Sequence, residues 1–499
     1  MRLPHPAEDP QSWLLMSAVV VLSCLTLFFG YGNPPNVFWD ENYHIASAQK
    51  YLNGVYFMEQ HPPLGKLLIA AGEKLLNRNP TDDNFLSTDY GTDFPVGFSF
   101  EGYRFFPALL AWLTAPVLFL IFLLLTRSSV MATLLSFFYV FDNALIVHLR
   151  GAMLEGPLLF FSALTILAFL LLLGEEEDRR FQIFAGFFGV AFALIATTKV
   201  LGLIFLLLVP ALLITLWPNL RRIVMFLVIA GAAFLLVYCA VWKIHFALGR
   251  TVNPSLPDQG YYQASVQYKS ILTSGRQNAL SSFPVMLRDS LKFVSHYNRG
   301  TPKLDLCKED ENGSPFFFWP FGARSINYRW ETPDSQSYRY LYLQVNPVVW
   351  WSALIGIVVG VTLLLGSVLL PLRERLKNGY LLLVFLGLYG SYMLVMSRID
   401  RVMYLYHYFI PLLLSFIIFA LVVLEIERIG RLRVTHTMKN GFLLTLGFVI
   451  FLSYQYYRPL TYYEPLSDTQ MQERAIMRLW ELRCVRCARD SMLAYPKAP

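Results

Sequence analysis

Long apolar runs separated by short polar segments dominate the chain. Eleven runs hold about 20 residues each, the length that an α-helix needs to cross a bilayer. Their approximate bounds are 13–32, 103–126, 129–147, 156–174, 181–198, 199–217, 222–244, 347–370, 379–397, 405–425 and 439–457. This pattern predicts an all-α polytopic membrane protein with about 11 transmembrane helices. A short break at 197–202 is all that divides the fifth run from the sixth.

Lys and Arg in the short loops indicate the orientation of the chain. With the N-terminus in the cytoplasm, the cytoplasmic short loops hold twelve such residues and the outer ones hold four. Two long segments, 33–102 and 245–346, then lie on the outer side of a single membrane-embedded domain over 1–499. The first run is expected to remain as an anchor, because the acidic Glu8 and Asp9 precede it and no cleavage site follows.

The tail 458–499 also lies outside in this topology and is rich in Arg. Its apolar positions predict an interfacial helix with one face formed by Ile476, Leu479, Trp480 and Cys487. Cys484 and Cys487 are a single Cys-x-x-Cys pair with no second pair and no nearby His. This spacing favours a structural or incidental pair over a metal or redox site.

Composition supports the membrane class. Hydrophobic residues make up 56% of the chain and charged residues 15%, against roughly 25% charged residues in soluble domains. The net charge of +7 is too modest to indicate nucleic-acid binding. A phosphate-bearing partner or an anionic leaflet explains it equally well.

A short amphipathic helix is predicted inside the first outer loop. It follows His61-Pro-Pro-Leu-Gly-Lys66, and its apolar positions recur at helical spacing: Leu64, Leu67, Leu68, Ala71 and Leu75. The run is too short to cross a bilayer. Two interpretations stay open, a plain interfacial helix and a helix that shapes a lateral entry for a lipid.

The adjacent carboxylates Asp40 and Glu41 stand just beyond the first apolar run, where acids are costly to hold near lipid. Such a carboxylate can bind a metal, accept a proton from a hydroxyl or simply face water. The topology puts several cations at the same boundary: Arg104, Arg150, Lys199, Arg398 and Arg401. Cations around a carboxylate pair suit a reaction with a phosphate leaving group, because Arg and Lys stabilise its developing charge. Any one of these cations can instead snorkel to lipid headgroups.

Each of the other polar and aromatic positions has both a structural and a functional interpretation. Asp142 lies inside the third run, and Arg150 or Lys199 is its expected partner. His44 follows Asp40 by one helical turn and is either a proton partner or an ordinary helix-face His. The aromatic clusters around Trp350 and Tyr406 are predicted as interface belts from composition alone.

Three segments of the first outer loop together resemble the protein O-mannosyltransferases, the dolichyl-phosphate-mannose–protein mannosyltransferases. They are Phe38-Trp-Asp-Glu-Asn-Tyr-His44, Tyr51-Leu-Asn-Gly-Val-Tyr-Phe57 and His61-Pro-Pro-Leu-Gly-Lys66. Similar elements follow in the family's order over nearly the whole chain: Tyr103-Arg104 with Pro107-Ala108, Leu149-Arg150 with Met153-Leu154-Glu155, Ser314-Pro315 with Trp319-Pro320, Asn346-Pro347 with Trp350-Trp351, and Arg401 with Tyr406-His407-Tyr408. Glu155 stands where the family usually has Asp.

The resemblance implies a membrane glycosyltransferase of the GT-C type. Its substrates would be a polyprenyl-phosphate mannose donor and the Ser or Thr hydroxyls of an exported polypeptide, with inversion at the sugar carbon. It implies Asp40 as the base, with Glu41 beside it in acceptor positioning. It also implies contacts with the donor phosphate or substrate for Arg104, Arg150, Arg401, His61, Lys66, Tyr406 and His407. Metal-independent catalysis without a cofactor is the family expectation.

The segment 245–346 is a departure from the large eukaryotic members, which carry a β-trefoil domain there. It is too short for that domain, so the resemblance implies a bacterial-type member in the inner membrane with an outward-facing site. Membrane lipid is an expected partner and nucleic acid is not. Alternatives are transfer of another sugar, a lipid or glycan acceptor, or transport of a lipid-linked substrate. The chain lacks the paired halves typical of many transporters.

Overall fold

The computed structural model describes residues 9–80, 94–252, 261–308, 311–334, 337–370 and 376–485. Helices dominate these residues, as predicted. The α-helices are α1 Pro10–Ser23, α2 Glu41–Leu52, α3 Leu64–Leu76, α4 Glu101–Thr126, α5 Ser129–Val140, α6 Asn143–Leu149, α7 Glu155–Leu172, α8 Asp178–Thr198, α9 Leu208–Leu216, α10 Leu220–Leu248, α11 Val266–Thr273, α12 Phe283–Gly300, α13 Pro347–Leu369, α14 Gly379–Met396, α15 Phe409–Glu425, α16 His436–Tyr462 and α17 Asp468–Arg474. A π-helix continues α1 over Cys24–Phe28, and 3₁₀-helices cover Val200–Leu207, Tyr261–Gln263, Leu280–Ser282, Phe316–Phe321, Leu405–Tyr408 and Arg478–Trp480.

Nine helical segments among the described residues are long and apolar enough to cross a membrane. They are Pro10–Phe28, Glu101–Thr126, Glu155–Leu172, Asp178–Thr198, Leu220–Leu248, Pro347–Leu369, Gly379–Met396, Leu405–Glu425 and His436–Tyr462. A tenth crossing results if α5 and α6, which meet at a bend of 63°, form one broken span. The chain is therefore an integral membrane protein.

The sixth predicted run forms a helical segment with fewer residues than any of the nine candidate spans. It forms Val200–Leu216, in which a 3₁₀-helix leads into α9. Lys199 ends α8 because its backbone is extended, with φ −154° and ψ 138°. A 3₁₀-helix rises about 2.0 Å per residue against about 1.5 Å for an α-helix, so the whole segment extends about 30 Å. That length approaches the thickness of the hydrocarbon core, and the eleventh crossing stays a prediction.

The chain divides into two compact units, each assembled from distant parts of the sequence. Unit 1 comprises Met1–Phe29, Trp112–His148 and Pro302–Pro499. Unit 2 comprises Gly30–Ala111 and Leu149–Thr301. The Asp-Glu motif and the helices of the first outer loop belong to unit 2.

Helices α2 and α3 lie in the segment 33–102. Pro62 and Pro63 precede α3, where their fixed φ and missing N–H groups favour a helix start. With 13 residues, α3 is about 20 Å long and too short to span. Its buried Ile69 packs in one core with Ile45 of α2 and Tyr103 of α4. The predicted short helix is confirmed.

Close contact between α8 and α10 holds the spans of unit 2 together. At Gly189 of α8, an added Cβ would lie 2.2 Å from the carbonyl oxygen of Ala230 in α10. Any larger residue would force the two backbones apart. Gly186, one turn earlier, is different, because an added Cβ there meets only Ile229, at 3.8 Å.

Unit 1 contains a small antiparallel sheet that the helical prediction did not include. Its strands are β1 Ile326–Glu331, β2 Tyr338–Leu343 and β5 Pro465–Leu466, in the order β1-β2-β5. A separate hairpin pairs β3 Arg428–Ile429 with β4 Leu432–Arg433. Strand β5 comes from the tail, so the second outer loop and the tail share one sheet.

The predicted interfacial helix of the tail is wrong for the described residues. After α17 the chain forms only the short 3₁₀-helix Arg478–Trp480. Trp480 is buried and donates from Nε1 to the carbonyl oxygen of Phe321 at 3.1 Å. Arg324 forms a buried ion pair with Glu481. Cys484 is disulfide-bonded, whereas Cys487 lies outside the described residues. Local periodicity missed these contacts because the partners stand over 150 positions earlier.

Gly189→Ala is expected to lower the free energy of unfolding by about 1–3 kcal/mol, the usual penalty for overpacking. Gly186→Ala is the matched control on the same helix and should be neutral or stabilising by up to about 1 kcal/mol. Thermal unfolding of the purified variants measures both. Equal behaviour of the two variants would contradict the close approach at Gly189.

Candidate active site

Glu41 and Arg104 form a fully buried ion pair in unit 2. Nε of Arg104 donates to Oε1 of Glu41 at 2.6 Å, and Nη2 donates to Oε2 at 2.7 Å. Both side chains have 0% exposure. Two parallel hydrogen bonds fix the relative orientation of the two groups. The start of α2 is therefore tied to the start of α4.

The remaining N–H groups of Arg104 donate to the loop that precedes α2. Their acceptors are the carbonyl oxygens of Gly32 at 3.0 Å, Pro34 at 2.7 Å and Asn36 at 2.7 Å. The rings of Phe38 and Phe100 each lie 4.7 Å from the guanidinium carbon. All five donors of the guanidinium are thus engaged. This geometry does not favour the predicted contact between Arg104 and a phosphate, and it favours a positioning role.

The backbone of a single residue, Ala152, connects α2 to the segment between α6 and α7. The N–H of Ala152 donates to Oε1 of Glu41 at 2.8 Å, and Nδ1 of His44 lies 2.8 Å from the carbonyl oxygen of Ala152. At Gly151, an added Cβ would lie 2.9 Å from the ring of Phe38. Only glycine permits this approach. The two sequence motifs that contain Asp40 and Arg150 are therefore neighbours in space.

Asp40 occupies the N-cap position of α2 and is half-buried. The positive end of the helix dipole favours an ionised carboxylate there. Trp39, directly before it, has a φ of +51°, a left-handed conformation that is strained for a bulky residue. Strain of this kind concentrates at functional sites. Glu41 has the opposite character, because it is fully buried and its two oxygens accept four N–H groups, from Arg104, Phe38 and Ala152.

Two further lysines of the site region are paired with carboxylates. Lys66, a predicted substrate-binding residue, forms a buried ion pair with Glu59. Lys199 forms a second buried ion pair with Glu155. Removing one partner from such a pair leaves an uncompensated buried charge. These lysines therefore stabilise the fold whatever else they do.

His44 is buried, and its pKa falls to about 3. Burial is the main cause, because it disfavours the charged form, and the positive charge of Lys66 lowers the pKa further. The ring is neutral at physiological pH, with Nδ1–H donating to the carbonyl of Ala152. A neutral, structurally engaged imidazole does not act as a proton donor at this pH.

The other predicted residues of unit 2 lie on either side of this centre. Nη2 of Arg150 donates to the carbonyl oxygen of Gly30, which places it beside the loop before α2. His61 is half-buried at the turn that leads into α3. Neither position tests the predicted contact with substrate, which stays a prediction for both residues.

Arg401, Tyr406 and His407 belong to unit 1. The ring of Tyr406 stacks on His407 at 4.7 Å and on His148 at 4.6 Å. His407 also stacks on Trp319 at 6.2 Å. Among the described residues, no side chain forms a hydrogen bond or ion pair with the guanidinium of Arg401, which is half-buried. The rings of Trp319, His407, Tyr406 and His148 thus stack in that order and form one aromatic column in unit 1.

Two predictions about unit 1 are corrected. Oδ2 of Asp142 accepts from Nε1 of Trp350 at 2.8 Å, and Oδ1 accepts from the N–H of Leu145 at 2.9 Å. Asp142 is therefore bound by neutral donors and caps α6.

The predicted aromatic belt is wrong for Trp350 and Tyr406, because both are buried. Composition could not distinguish a buried ring from one at the membrane interface.

Sequence reasoning missed Glu59, Phe100 and the peptide at Ala152. Backbone acceptors and donors carry no signal in a sequence. Glu59 carried a weak signal, because it is an acid close to a motif that contains Lys66. Phe100 carried none beyond its aromatic character.

Two protein-family models match the chain. Residues 17–249 match the model described as dolichyl-phosphate-mannose-protein mannosyltransferase. Residues 291–480 match the C-terminal four TMM region of protein-O-mannosyltransferase. The two matches lie in succession and leave 250–290 between them.

Two curated relatives match this chain over part of their length. The zebrafish (Danio rerio) protein O-mannosyl-transferase 2 is 28% identical over 286 residues, which cover 52% of this chain and 35% of that protein. The Candida albicans dolichyl-phosphate-mannose–protein mannosyltransferase 1 is 30% identical over 195 residues, which cover 38% of this chain and 20% of that protein. The chain thus matches about a third or less of the length of these relatives.

The Saccharomyces cerevisiae protein O-mannosyltransferase Pmt1-Pmt2 complex, solved with its sugar donor bound, is similar in structure. The TM-score is 0.80 at 16% identity, over 94% of this chain and 92% of that chain. At this identity the likeness shows a shared fold, which is of the GT-C type.

Glu41→Gln is expected to destabilise the protein by about 3–5 kcal/mol, because it leaves the Arg104 charge buried without a counter-ion. Thermal unfolding of the purified variant measures the loss. Asp40→Asn is the matched control, since Asp40 is half-buried and caps no N–H with its side chain. A loss as large for Asp40→Asn as for Glu41→Gln would contradict this assignment.

Acid is expected to destabilise the folded chain through His44. The unfolded imidazole binds a proton below a pH of about 6.5, whereas the folded one does so only near pH 3. Protons therefore favour the unfolded state, and this contribution to stability is lost as the pH falls from about 6.5 towards 3. His44→Gln should flatten the dependence of the melting temperature on pH between 7.5 and 5. The exposed His436→Gln should leave that dependence unchanged, and equal slopes in all three proteins would refute the assignment.

Proposed function

The chain belongs to the protein O-mannosyltransferase family, and on this premise we propose that it transfers mannose from polyprenyl-phosphate mannose to Ser or Thr hydroxyls of exported proteins. The proposed reaction inverts the configuration at the sugar carbon. The observation that supports it best is the asymmetry of the adjacent carboxylates. Glu41 is saturated with N–H donors, whereas Asp40 stands half-buried at the N-cap of α2.

The proposed reaction needs one base and no strong general acid. The carboxylate of Asp40 accepts the proton of the acceptor hydroxyl as its oxygen attacks the anomeric carbon of mannose. The bond between this carbon and the phosphate oxygen breaks on the opposite face. The electron pair of that bond leaves with the phosphate, which is already a good leaving group and needs only electrostatic stabilisation.

Glu41 and Arg104 act as positioning residues in this proposal. They hold the loop before α2, the start of α4 and the peptide at Ala152 in one arrangement. That arrangement also fixes the backbone position of Asp40, because Asp40 directly precedes Glu41 in the chain. Positioning within a fraction of an ångström governs the rate of such reactions.

Stabilisation of the departing phosphate is assigned to cations other than Arg104. The phosphate-binding role of Arg401 is supported because no described side chain forms a hydrogen bond or ion pair with its guanidinium. The same role of Arg150 is supported because it stands in a family motif. Tyr406 and His407 are proposed to contact substrate through the aromatic column of unit 1. Aromatic and Arg side chains suit a sugar phosphate, because they offer a flat apolar face and fixed N–H donors.

The setting of the reaction is proposed from the loops. The excess of Lys and Arg in the predicted cytoplasmic loops supports a site on the outer side of the membrane. The segment 245–346 is too short for the extra domain of the large eukaryotic members. The short segment supports a bacterial inner membrane and a polyprenyl carrier.

Purified protein is expected to move label from polyprenyl-phosphate mannose to a Ser/Thr-rich peptide. Asp40→Asn should reduce the rate by a factor of about 10²–10⁴, because it removes the general base, while the melting temperature stays near that of the wild type. Mass spectrometry of the peptide measures the product.

Glu101→Gln is the matched control, since Glu101 is a surface carboxylate of the same unit, 50% exposed, and its loss should not slow transfer. Label in a lipid or glycan, and not in the peptide, would replace the proposed acceptor. Movement of the donor across vesicles without any product would favour a transporter and overturn the proposal. Turnover by Asp40→Asn near the wild-type rate would remove Asp40 as the base.

A further inference from the structure

A cavity of about 730 Å³ lies in unit 2 between α2, α3 and the end of α10. Its walls include the C-terminal half of α2, from Gln49 to Leu52, and the turn that follows. The first α2 residue in the lining, Gln49, follows Asp40 by nine residues, which corresponds to about 14 Å along the helix. The α2 part of the lining therefore lies at the other end of that helix from the candidate base, and Tyr103 of α4 also lines the cavity.

Part of the cavity lining is apolar. Leu67 and Leu68 of α3 and Ile244 and Leu248 of α10 contribute to it. Ile244 is 51% exposed, and its helix is long and apolar enough to span a membrane while little of it is buried inside the protein. The exposed surface of such a helix meets lipid, which supports access to the cavity from the lipid phase.

The cavity lining also carries two cations that the described residues do not compensate. Lys74 is exposed and forms no hydrogen bond or ion pair there. The guanidinium of Arg250 donates to the carbonyl oxygen of Ala247 at 3.1 Å and forms no ion pair. The described lining contains one acid, Glu73, whose Oε1 accepts the backbone N–H groups of Arg78 at 3.0 Å and Asn79 at 2.7 Å.

We propose that this cavity binds an anionic membrane phospholipid. Its phosphate would lie between Lys74 and Arg250, and its acyl chains would run along Leu67, Leu68 and Ile244 into the bilayer. The volume lies within the range of about 300–1,000 Å³ that is typical of ligand sites. Apolar walls and cations in one lining match the two ends of such a lipid.

The occupant differs from the sugar carrier. The reacting phosphate of a donor must lie beside the hydroxyl that Asp40 deprotonates, whereas a phosphate at Lys74 and Arg250 is held at the opposite end of α2. A lipid bound here stabilises the folded state by mass action. Because α2 and α3 both line the cavity, the bound lipid also restrains the loop that carries the Asp-Glu motif.

The test compares lipids added to the delipidated, detergent-purified chain. Phosphatidylglycerol is expected to raise the melting temperature and to remain bound in native mass spectrometry, whereas phosphatidylcholine does neither. The double variant Lys74→Gln/Arg250→Gln should lose at least tenfold in affinity for phosphatidylglycerol. The matched control Arg276→Gln/Lys292→Gln removes two exposed cations of the same unit and should bind it like the wild type. Leu68→Trp, which fills the apolar part of the cavity, provides a second variant with a lowered affinity.

Three results would overturn the proposal. Equal shifts with phosphatidylcholine would remove the role of the anionic head group. Unchanged affinity in both the double variant and Leu68→Trp would remove the cavity. Displacement of phosphatidylglycerol by polyprenyl phosphate, together with a raised KM for the donor in the double variant, would identify the carrier as the occupant. Because lipid binding is measured without turnover, the result does not depend on the proposed transferase activity.

Discussion

The buried ion pair of Glu41 and Arg104 is the contact on which the arrangement of α2, the start of α4 and Ala152 depends. Seven hydrogen bonds converge on it, five donated by Arg104 and two more accepted by Glu41. Burying two charges is costly unless every donor and acceptor is satisfied. Here that condition is met, and the loop before α2, α4 and the peptide at Ala152 have to adopt one arrangement to meet it.

This condition explains why two adjacent acids have different surroundings. The two oxygens of Glu41 accept four N–H groups, so this carboxylate is engaged in holding the fold. Asp40, the preceding residue in the chain, takes a fixed backbone position from that arrangement. Asp40 is thus held at a helix N-terminus, beside the strained Trp39, by contacts that its neighbour makes. Separate residues carry the positional constraint and the proposed chemistry.

The sequence predicts the features that short-range pattern determines. Runs of about 20 apolar residues give the spans, and the spacing of Leu64, Leu67 and Leu68 gives α3. The sequence does not give partners that lie far away in the chain. Arg104 finds its carboxylate 63 positions earlier, and Asp142 finds Trp350 208 positions later. A charge in a sequence shows that a partner is needed, but packing decides which one it is.

The same distinction applies to the tail and to the aromatic motifs. Trp480 has the spacing of an interfacial face, yet a backbone carbonyl in the second outer loop accepts its indole N–H. Tyr406 has the composition of a membrane belt, yet it stacks on His148 and His407 inside unit 1. In both cases one residue type suits two environments.

Compensated charges restrict which cation suits the leaving phosphate of the proposed reaction. In unit 2 the carboxylates of Glu41, Glu59 and Glu155 each hold one cation. A cation beside a carboxylate gives a weak field at a third group, because the two charges largely cancel beyond their own separation. In the proposed reaction the phosphate gains negative charge as its bond to the sugar breaks, so it needs N–H donors that are not already engaged. All five donors of Arg104 are engaged within unit 2, whereas Arg401 forms no hydrogen bond or ion pair with a described side chain, which supports the proposed division of roles. Hydrogen-bond saturation therefore supports a positioning role for Arg104 that motif membership alone does not indicate.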